Sequence, residues 1–444
     1  MPPEVPAKRL AIPATLSNAT LVTLWSVAIA AVSFSLSSTL GIAISAAIIM
    51  VVGLRSQSGH MTLFCIGGLL LFDSGQSEVP KLAYTLLCFI FALVAVYRVR
   101  MIQESETRRI ATNLLRLSFA YAAMIWAVFM PYTLFYLHNS FTSASHDAIT
   151  QFLPCLGLAI GLGAGAVSTP REVTFVATII SVLAAIQYAV TWQSRRGLMA
   201  DTYYFLGSRA LVSFAFLFVL SIAIFSTRRF LAGTSAALGI AICTIASGNR
   251  STVTMLIGLP ILAFIALRRT RSSIRLLCSL ASALVGLFLF IDVVLARLPF
   301  GSFALERLNS IIPLIVGSDT TDASAISRQG ITRDALEMYS RHPLLGAGLG
   351  ATKHVDSPAL YLGIFGLAGT LIIAGYYLGV VSGLIRTMRP SNGLLALLLA
   401  WTAAVILSLV SSMPTADQGL SIALSMLAAL GVSSRLHEEN WPAC

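Results

Sequence analysis

Apolar runs recur along nearly the whole chain, and short polar connections separate most of them. Runs of about 17–25 apolar residues are long enough for a helix to cross a bilayer, so the pattern predicts about 12–14 transmembrane helices. The first run, 21–37, has no small-residue cleavage site after it and is expected to be a retained span. The predicted spans are 20–37, 38–54, 59–74, 81–98, 112–136, 150–168, 172–192, 207–226, 230–247, 251–268, 274–295, 359–385, 393–411 and 417–434.

Composition agrees with this pattern. Hydrophobic residues make up 57% of the chain, charged residues 11%, and the mean hydropathy is +0.85, far from the values of a soluble domain. We expect an all-α polytopic integral membrane protein with a single transmembrane domain over residues 1–444. One long polar segment, 298–358, is too short and too poor in core residues to fold alone, and it is predicted to be a large loop that contains short helices.

Basic residues indicate the orientation of the spans. The net charge is +11, and most Lys and Arg fall in alternate connections, which the positive-inside rule places in the cytoplasm together with both termini. Charge spread in this way indicates contact with membrane lipid and not with nucleic acid. The same alternation places 192–209, 247–250 and 298–358 on the outer face. Their basic residues break the inside bias and indicate an anionic partner; they are Arg195, Arg196, Arg209, Arg250, Arg297, Arg307, Arg328, Arg333, Arg341 and Lys353.

The outer loop contains a predicted amphipathic helix from Ser327 to Arg341. At 100° per residue, one stripe carries Ile331, Ala335, Met338 and Tyr339 and also includes Arg328. The opposite face carries Arg333, Asp334, Glu337 and Arg341, where Arg333 and Glu337 are spaced to pair.

The two arginines of this helix are therefore expected to differ. Arg333 is a surface charge, whereas Arg328 points where the apolar residues point and needs a fixed anionic partner. That partner is either a carboxylate of this chain or the phosphate of a substrate, which a guanidinium binds through two parallel hydrogen bonds.

Arg250 is a second candidate for binding an anion. It follows Ser247-Gly-Asn at the outer start of a predicted span, and a helix N-terminus beside an arginine favours anions. The alternative is an arginine whose side chain reaches the lipid headgroups.

Three residues of the loop are candidates for a general base. His342 precedes Pro343 and is expected to end the loop helix. His354 and Asp356 lie just before the span that begins near Pro358, where either could accept a proton from a sugar hydroxyl. A lone loop histidine is often incidental, and the residues alone leave the choice between His354 and Asp356 open.

Several other kinds of site are not indicated. The glycines of Gly346-Ala-Gly348-Leu-Gly350 have no βαβ context, and the chain has no P-loop. The outer loop has no acidic pair and no Cys or His spacing typical of a metal site. The six cysteines form no C-x-x-C pair, which favours buried packing. We therefore expect no metal and no cofactor.

The segment from Ala246 to Ile385 resembles the bacterial O-antigen ligase and polymerase superfamily. Three elements carry the resemblance: the Ser-Gly-Asn-Arg-Ser turn at 247–251, the segment 328–348, which begins Arg-x-x-x-Thr-x-x-Ala-Leu and ends His-Pro-Leu-Leu-Gly-Ala-Gly, and the segment 354–369. The second element is the most specific.

The resemblance implies glycan transfer from an undecaprenyl-diphosphate-linked donor on the periplasmic face of the bacterial inner membrane, without metal or nucleotide. Arg250 and Arg328 would bind the diphosphate, and His354, or Asp356 in its place, would deprotonate the acceptor hydroxyl. Arg333 and Arg209 are accessory candidates.

Two departures from the family pattern bear on the acceptor. Thr332 stands where the family usually has Trp, and His354-Val-Asp356-Ser lacks the His-Asn pair common in ligases. The acidic residue is more similar to the polymerase branch, which favours polymerisation of O-antigen or exopolysaccharide repeats, with a chain-length regulator as a further partner. The alternative is a ligase that transfers glycan to lipid A-core.

A transporter or flippase of lipid-linked oligosaccharide is the alternative from another class. It predicts ionisable residues or broken helices near mid-bilayer and two similar halves. The predicted spans carry almost no charge at their centres and show no internal repeat, so a transferase is favoured.

Overall fold

The computed structural model describes residues 61, 78–194, 209–225, 230–246, 297, 323–352, 357–388, 393–408 and 419–437. Regular structure within these ranges is helical, without any strand. The helices are α1 (Glu78–Arg100), α2 (Ser105–Tyr136, with π-helical turns at Ile125–Phe129 and Tyr132–Tyr136), α3 (Phe141–Val167), α4 (Pro170–Ser194), α5 (Arg209–Phe225), α6 (Phe230–Ala246), α7 (Ala323–Arg341), α8 (Ala359–Thr387), α9 (Gly393–Ser408) and α10 (Gly419–Leu436).

The described helices confirm an all-α polytopic membrane protein. In the described part of the chain, α2, α3, α8 and α10 are long and apolar enough to cross a membrane, and α5 and α9 are shorter apolar helices. Helices α2 and α3 begin at Ser105 and Phe141, earlier than the predicted 112 and 150, because polar first turns extend beyond the apolar runs. The predicted spans 20–37, 38–54, 251–268 and 274–295, and 59–74 apart from Met61, lie outside the described residues.

Helix α3 packs closely against α1, α2 and α10. A Cβ atom on Gly161 or Gly165 would overlap the backbone of α10, and one on Gly163 would overlap Ala95 of α1. Small residues at such contacts let helix backbones approach closely, and dispersion forces then hold them together in lipid. The glycine-rich second half of α3 therefore sets the spacing of the bundle.

Polar side chains also join the helices inside the bundle. The rings of Tyr121 on α2 and Tyr376 on α8 are stacked with centroids 4.2 Å apart. The Tyr121 hydroxyl donates to Gln151 Oε1 of α3 at 3.0 Å. Hydrogen bonds of this kind link transmembrane helices where no water is present, so α2, α3 and α8 are held as one group.

Two cysteines have described side chains. Cys88 and Cys155 are both buried and neither forms a disulfide, which confirms for these two the buried packing predicted from the sequence.

The loop helix is present as α7 and begins four residues before its predicted start. Ile331 and Ala335 are buried in the contact with α8, whereas Arg333 is exposed, as the apolar stripe predicts. The expected Arg333–Glu337 pair is wrong, since Glu337 pairs with Arg341. An acidic residue N-terminal to its basic partner is the favoured orientation in a helix, and Arg341 also lies in the last turn, where a cation is favoured.

Candidate active site

Helix α8 is interrupted near its start. Gly366 has φ 63° and ψ −171°, a conformation essentially restricted to glycine. In a continuous helix, the amides of Leu367 and Ala368 would donate to carbonyl groups four residues earlier. They donate instead to the carbonyl oxygens of Pro343 and Leu344, at 2.9 and 3.0 Å.

The carbonyl groups that the interruption frees are also occupied. The Gly363 oxygen accepts the Ala347 amide at 2.7 Å, and the Ile364 oxygen accepts the Gly348 amide at 3.0 Å. Four hydrogen bonds therefore join segment 343–348 to the interruption in α8, an arrangement that we call the interlock. Irregular backbone in an apolar bundle is tolerated where its polar groups are paired in this way.

The three alternate glycines of the turn permit this close approach. Gly346, Gly348 and Gly350 have φ values of 75°, 79° and 75°, in the region that favours glycine. A Cβ atom would overlap α8 at Gly346 and would lie 2.7 Å from α2 or α3 atoms at Gly348 and Gly350. The glycines thus have a packing role between the turn and three helices.

The end of α2 supplies two hydrogen bonds to the turn. Its last segment, Tyr132–Tyr136, is a π-helical turn preceded by Pro131, and such turns are frequent at functional sites. The Tyr132 hydroxyl donates to the Gly346 oxygen at 3.1 Å. Thr133 Oγ1 accepts the Leu349 amide at 3.0 Å, and the Thr133 side chain is buried.

The connection between α2 and α3 and the first turns of α3 complete the contact. Asn139 Nδ2 donates to the oxygens of Ala347 and Leu349, both at 3.1 Å. Asp147 Oδ2 accepts the Gly350 amide at 2.7 Å. Hydrogen bonds to a carboxylate are stronger than those between neutral groups, so the turn is fixed most firmly where it ends.

A further contact joins the loop helix to the start of α8. The hydroxyls of Thr332 and Ser357 lie 2.8 Å apart, and the Gly363 Cα lies so close to α7 that a Cβ there would be 2.9 Å from the Ala335 oxygen. Helix α7 is therefore held against the first turns of α8. Arg328, one turn before Thr332 in α7, is in the part of the helix that this contact anchors.

The predicted site residues fall into two groups. Arg250, His354 and Asp356 lie outside the described residues. The others lie on helices: Arg328 in α7, Arg209 at the first position of α5 and Arg333 on the exposed face of α7. The side chains of Arg328 and Arg209 are outside the described part of the chain.

His342 occupies the predicted position at the end of α7. Its amide donates to the Met338 oxygen at 3.0 Å, and its own carbonyl oxygen accepts the Gly346 amide at 2.9 Å. Its backbone thus links the last helical turn to the glycine turn, in agreement with the expected role at the helix end.

Four residues of this site were not predicted from the sequence: Tyr132, Thr133, Asn139 and Asp147. Asn139 and Asp147 are polar residues in a predicted connection with almost no Lys or Arg, and that is the signal that could have identified them. Tyr132 and Thr133 end an apolar run and carry no such signal.

The described part of the site is a rigid frame. Hydrogen bonds from side chains to the backbone fix the turn, and α7 brings Arg328 to the same end of the bundle. Fixed geometry of this kind is suited to holding a reacting group in place. Among the described residues, no group of three or more His, Cys, Asp or Glu side chains could hold a metal ion.

Comparison with known families bears on this segment. Residues 235–367 match the family model described as O-Antigen ligase, and the match includes α7, the glycine turn and the interruption in α8. No curated protein matches the chain. The match confirms the resemblance to the O-antigen ligase and polymerase superfamily, and it supports a glycan-transfer function of the ligase or polymerase type.

Proposed function

We propose that the protein polymerises glycan repeats on the periplasmic face of the bacterial inner membrane, taking them from undecaprenyl diphosphate. The observation that carries this proposal is the interlock, which lies within the segment that matches the O-Antigen ligase model. It holds the loop helix with Arg328 and the chain on both sides of His354 and Asp356 at one end of the bundle.

In this reaction, the bond between the sugar C1 and the diphosphate oxygen breaks, and a bond forms between C1 and an acceptor hydroxyl oxygen. The acceptor proton passes to a base, and undecaprenyl diphosphate leaves with the electron pair. Arg250 and Arg328 bind the diphosphate and stabilise the charge that develops on it. Two arginines supply the positive charge that a metal ion would otherwise provide, and the donor carries its own leaving group, so the proposed reaction uses neither a metal ion nor a nucleotide.

His354 or Asp356 is the general base. The described residues on either side of them are both anchored, Gly350 by Asp147 of α3 and Ser357 by Thr332 of α7. A base held at a fixed distance from the acceptor favours proton transfer, and the anchored residues that flank this segment in the chain support its assignment to the base.

Arg209 and Arg333 have accessory roles. Arg209 begins α5, and Arg333 is exposed on α7. Cations on the outer face attract a charged substrate through a field that salt weakens. We assign them to the approach of the anionic donor rather than to the transfer step.

The topology proposed here has both termini in the cytoplasm, one transmembrane domain and a periplasmic loop over residues 298–358. The positive-inside distribution of Lys and Arg supports it. The acceptor is a second lipid-linked repeat, and a chain-length regulator protein is a further partner.

A ligase that transfers the finished glycan to lipid A-core is the second candidate function. The description of the matching family model as O-Antigen ligase favours it. The two functions share donor, leaving group and base, and they differ only in the acceptor.

A transporter is disfavoured by the state of the interruption in α8. Transporters use interrupted helices to present free backbone groups to a substrate or ion. Here the carbonyl oxygens of Gly363 and Ile364 and the amides of Leu367 and Ala368 are all hydrogen-bonded to segment 343–348. These groups are not available to a cargo.

Complementation of a deletion strain tests the function. Wild type is expected to restore long-chain polysaccharide, whereas Arg328→Ala and Arg250→Ala, expressed at equal levels, accumulate single lipid-linked repeats. Long chains that accumulate on undecaprenyl diphosphate in the deletion strain would indicate a ligase. Full activity of both arginine variants would contradict the proposed diphosphate site.

A further inference from the structure

Asp147 is the described carboxylate in direct contact with the glycine turn. It lies in the second turn of α3, half-buried, and its Oδ2 accepts the Gly350 amide at 2.7 Å. Gly350 is in a left-handed conformation with φ 75°. Its amide donates to α3 rather than to a neighbour in its own turn.

The hydrogen bond between Asp147 and Gly350 differs from the other side-chain contacts in the part of the turn that it holds. Tyr132, Thr133 and Asn139 bind the turn at Gly346, Ala347 and Leu349. Asp147 binds the turn at its last glycine, where the chain leaves for His354. Loss of the Asp147 contact therefore frees the end of the turn while the interlock and the other three side-chain contacts persist.

The requirement at position 147 is for a hydrogen-bond acceptor. The partner is a neutral backbone amide, which an amide oxygen can bind as well as a carboxylate oxygen can, though less strongly. A general base would instead need a side chain that takes up a proton. These two roles predict different outcomes for Asn at this position.

We propose that Asp147 is a positioning residue for the glycan-transfer reaction: it fixes the backbone at Gly350, four residues before His354 in the chain. This inference rests on the proposed transferase function. Because the Gly350 contact precedes the proposed base in the chain and involves neither of the proposed diphosphate-binding arginines, loss of Asp147 is expected to lower the rate of transfer and to leave donor binding unchanged.

The test compares Asp147→Ala and Asp147→Asn with the wild type, reconstituted with undecaprenyl-diphosphate-linked repeats. Asp334→Ala, which removes an exposed carboxylate on α7, is the matched control. Asp147→Ala is expected to lower kcat on the order of 100-fold with KM for the donor unchanged. Asp147→Asn keeps most of the activity, and Asp334→Ala behaves as wild type.

Amide hydrogen exchange detects the Asp147–Gly350 hydrogen bond and does not depend on catalytic activity. The Gly350 amide exchanges faster in Asp147→Ala, while the amides of Ala347 and Gly348 in the interlock keep their protection. A kcat of wild-type size in Asp147→Ala would overturn the inference. So would an Asp147→Asn variant as inactive as Asp147→Ala, because the carboxylate would then be needed for its charge or its proton. A wild-type protein that transfers no glycan in this assay would overturn the proposed function itself.

Discussion

The Gly366→Ala substitution probes the interlock directly. Alanine is strained at φ 63° and ψ −171°, and its Cβ would lie 2.5 Å from the Gly346 nitrogen and overlap the Leu344 carbonyl. The turn and α8 would have to separate. The hydrogen bonds that Leu367 and Ala368 donate to the turn are the first to be lost.

The free energy by which Gly366→Ala destabilises the interlock is the sum of backbone strain and lost hydrogen bonds. A backbone conformation of this kind costs about 1–3 kcal/mol for a residue other than glycine. Each buried hydrogen bond that is broken without replacement costs about 1–3 kcal/mol. With two bonds lost, the interlock is destabilised by roughly 3–9 kcal/mol, most of it local because the rest of α8 remains helical.

Hydrogen exchange of the protein in lipid nanodiscs measures this local opening. A loss of about 3 kcal/mol raises exchange of the Leu367 and Ala368 amides by about 100-fold, since 1.4 kcal/mol corresponds to a factor of ten. Gly375→Ala on the same helix is the matched control, because a Cβ there meets no atom within 4 Å. Equal protection in the two variants would refute the interlock as a source of stability.

Three further predictions concern the site. Arg328→Ala is expected to lower the yield of polymer at least about 100-fold, because it removes a group that stabilises developing charge. Arg341→Ala changes an exposed residue of the same helix, and its polymer yield is expected to stay within about twofold of wild type. Asn139→Ala removes two part-buried hydrogen bonds to the turn. Because each contributes about 0.5–1.5 kcal/mol net, the free energy of unfolding, measured by calorimetry in nanodiscs, is expected to fall by about 1–3 kcal/mol. An unchanged value would contradict a stabilising role of these bonds. Dialysis against EDTA is expected to leave transfer unchanged, and activity restored by added Mg²⁺ would contradict the proposed mechanism.

The sequence predicts the helices well because their signal is local. Long apolar runs identify α2, α3, α8 and α10, and the 3.6-residue period of α7 predicts the buried Ile331 and Ala335 and the exposed Arg333. The partner of Glu337 was predicted wrongly because spacing alone does not distinguish the two possible arginines. The preferred order in a helix, with the acidic residue before the basic one, decides in favour of Arg341.

The interlock could not be predicted in the same way. Gly366 lies within a continuous apolar run, and nothing in the residues around it distinguishes a positive φ from helical backbone. The contacts of the turn are also distant in the chain, since Asp147 and Gly350 are 203 positions apart. The three alternate glycines indicate that a close approach occurs, and only the fold identifies what approaches.

Glycan transfer by the purified protein is the decisive measurement of the proposed function. The protein is reconstituted in liposomes with undecaprenyl-diphosphate-linked repeats, and the products are separated by size. We expect a ladder of lengthening glycans and release of undecaprenyl diphosphate in proportion to the bonds formed, and we expect Arg328→Ala to give neither. Donor that crosses the bilayer without any change in length would contradict the proposed transferase function and indicate a transporter.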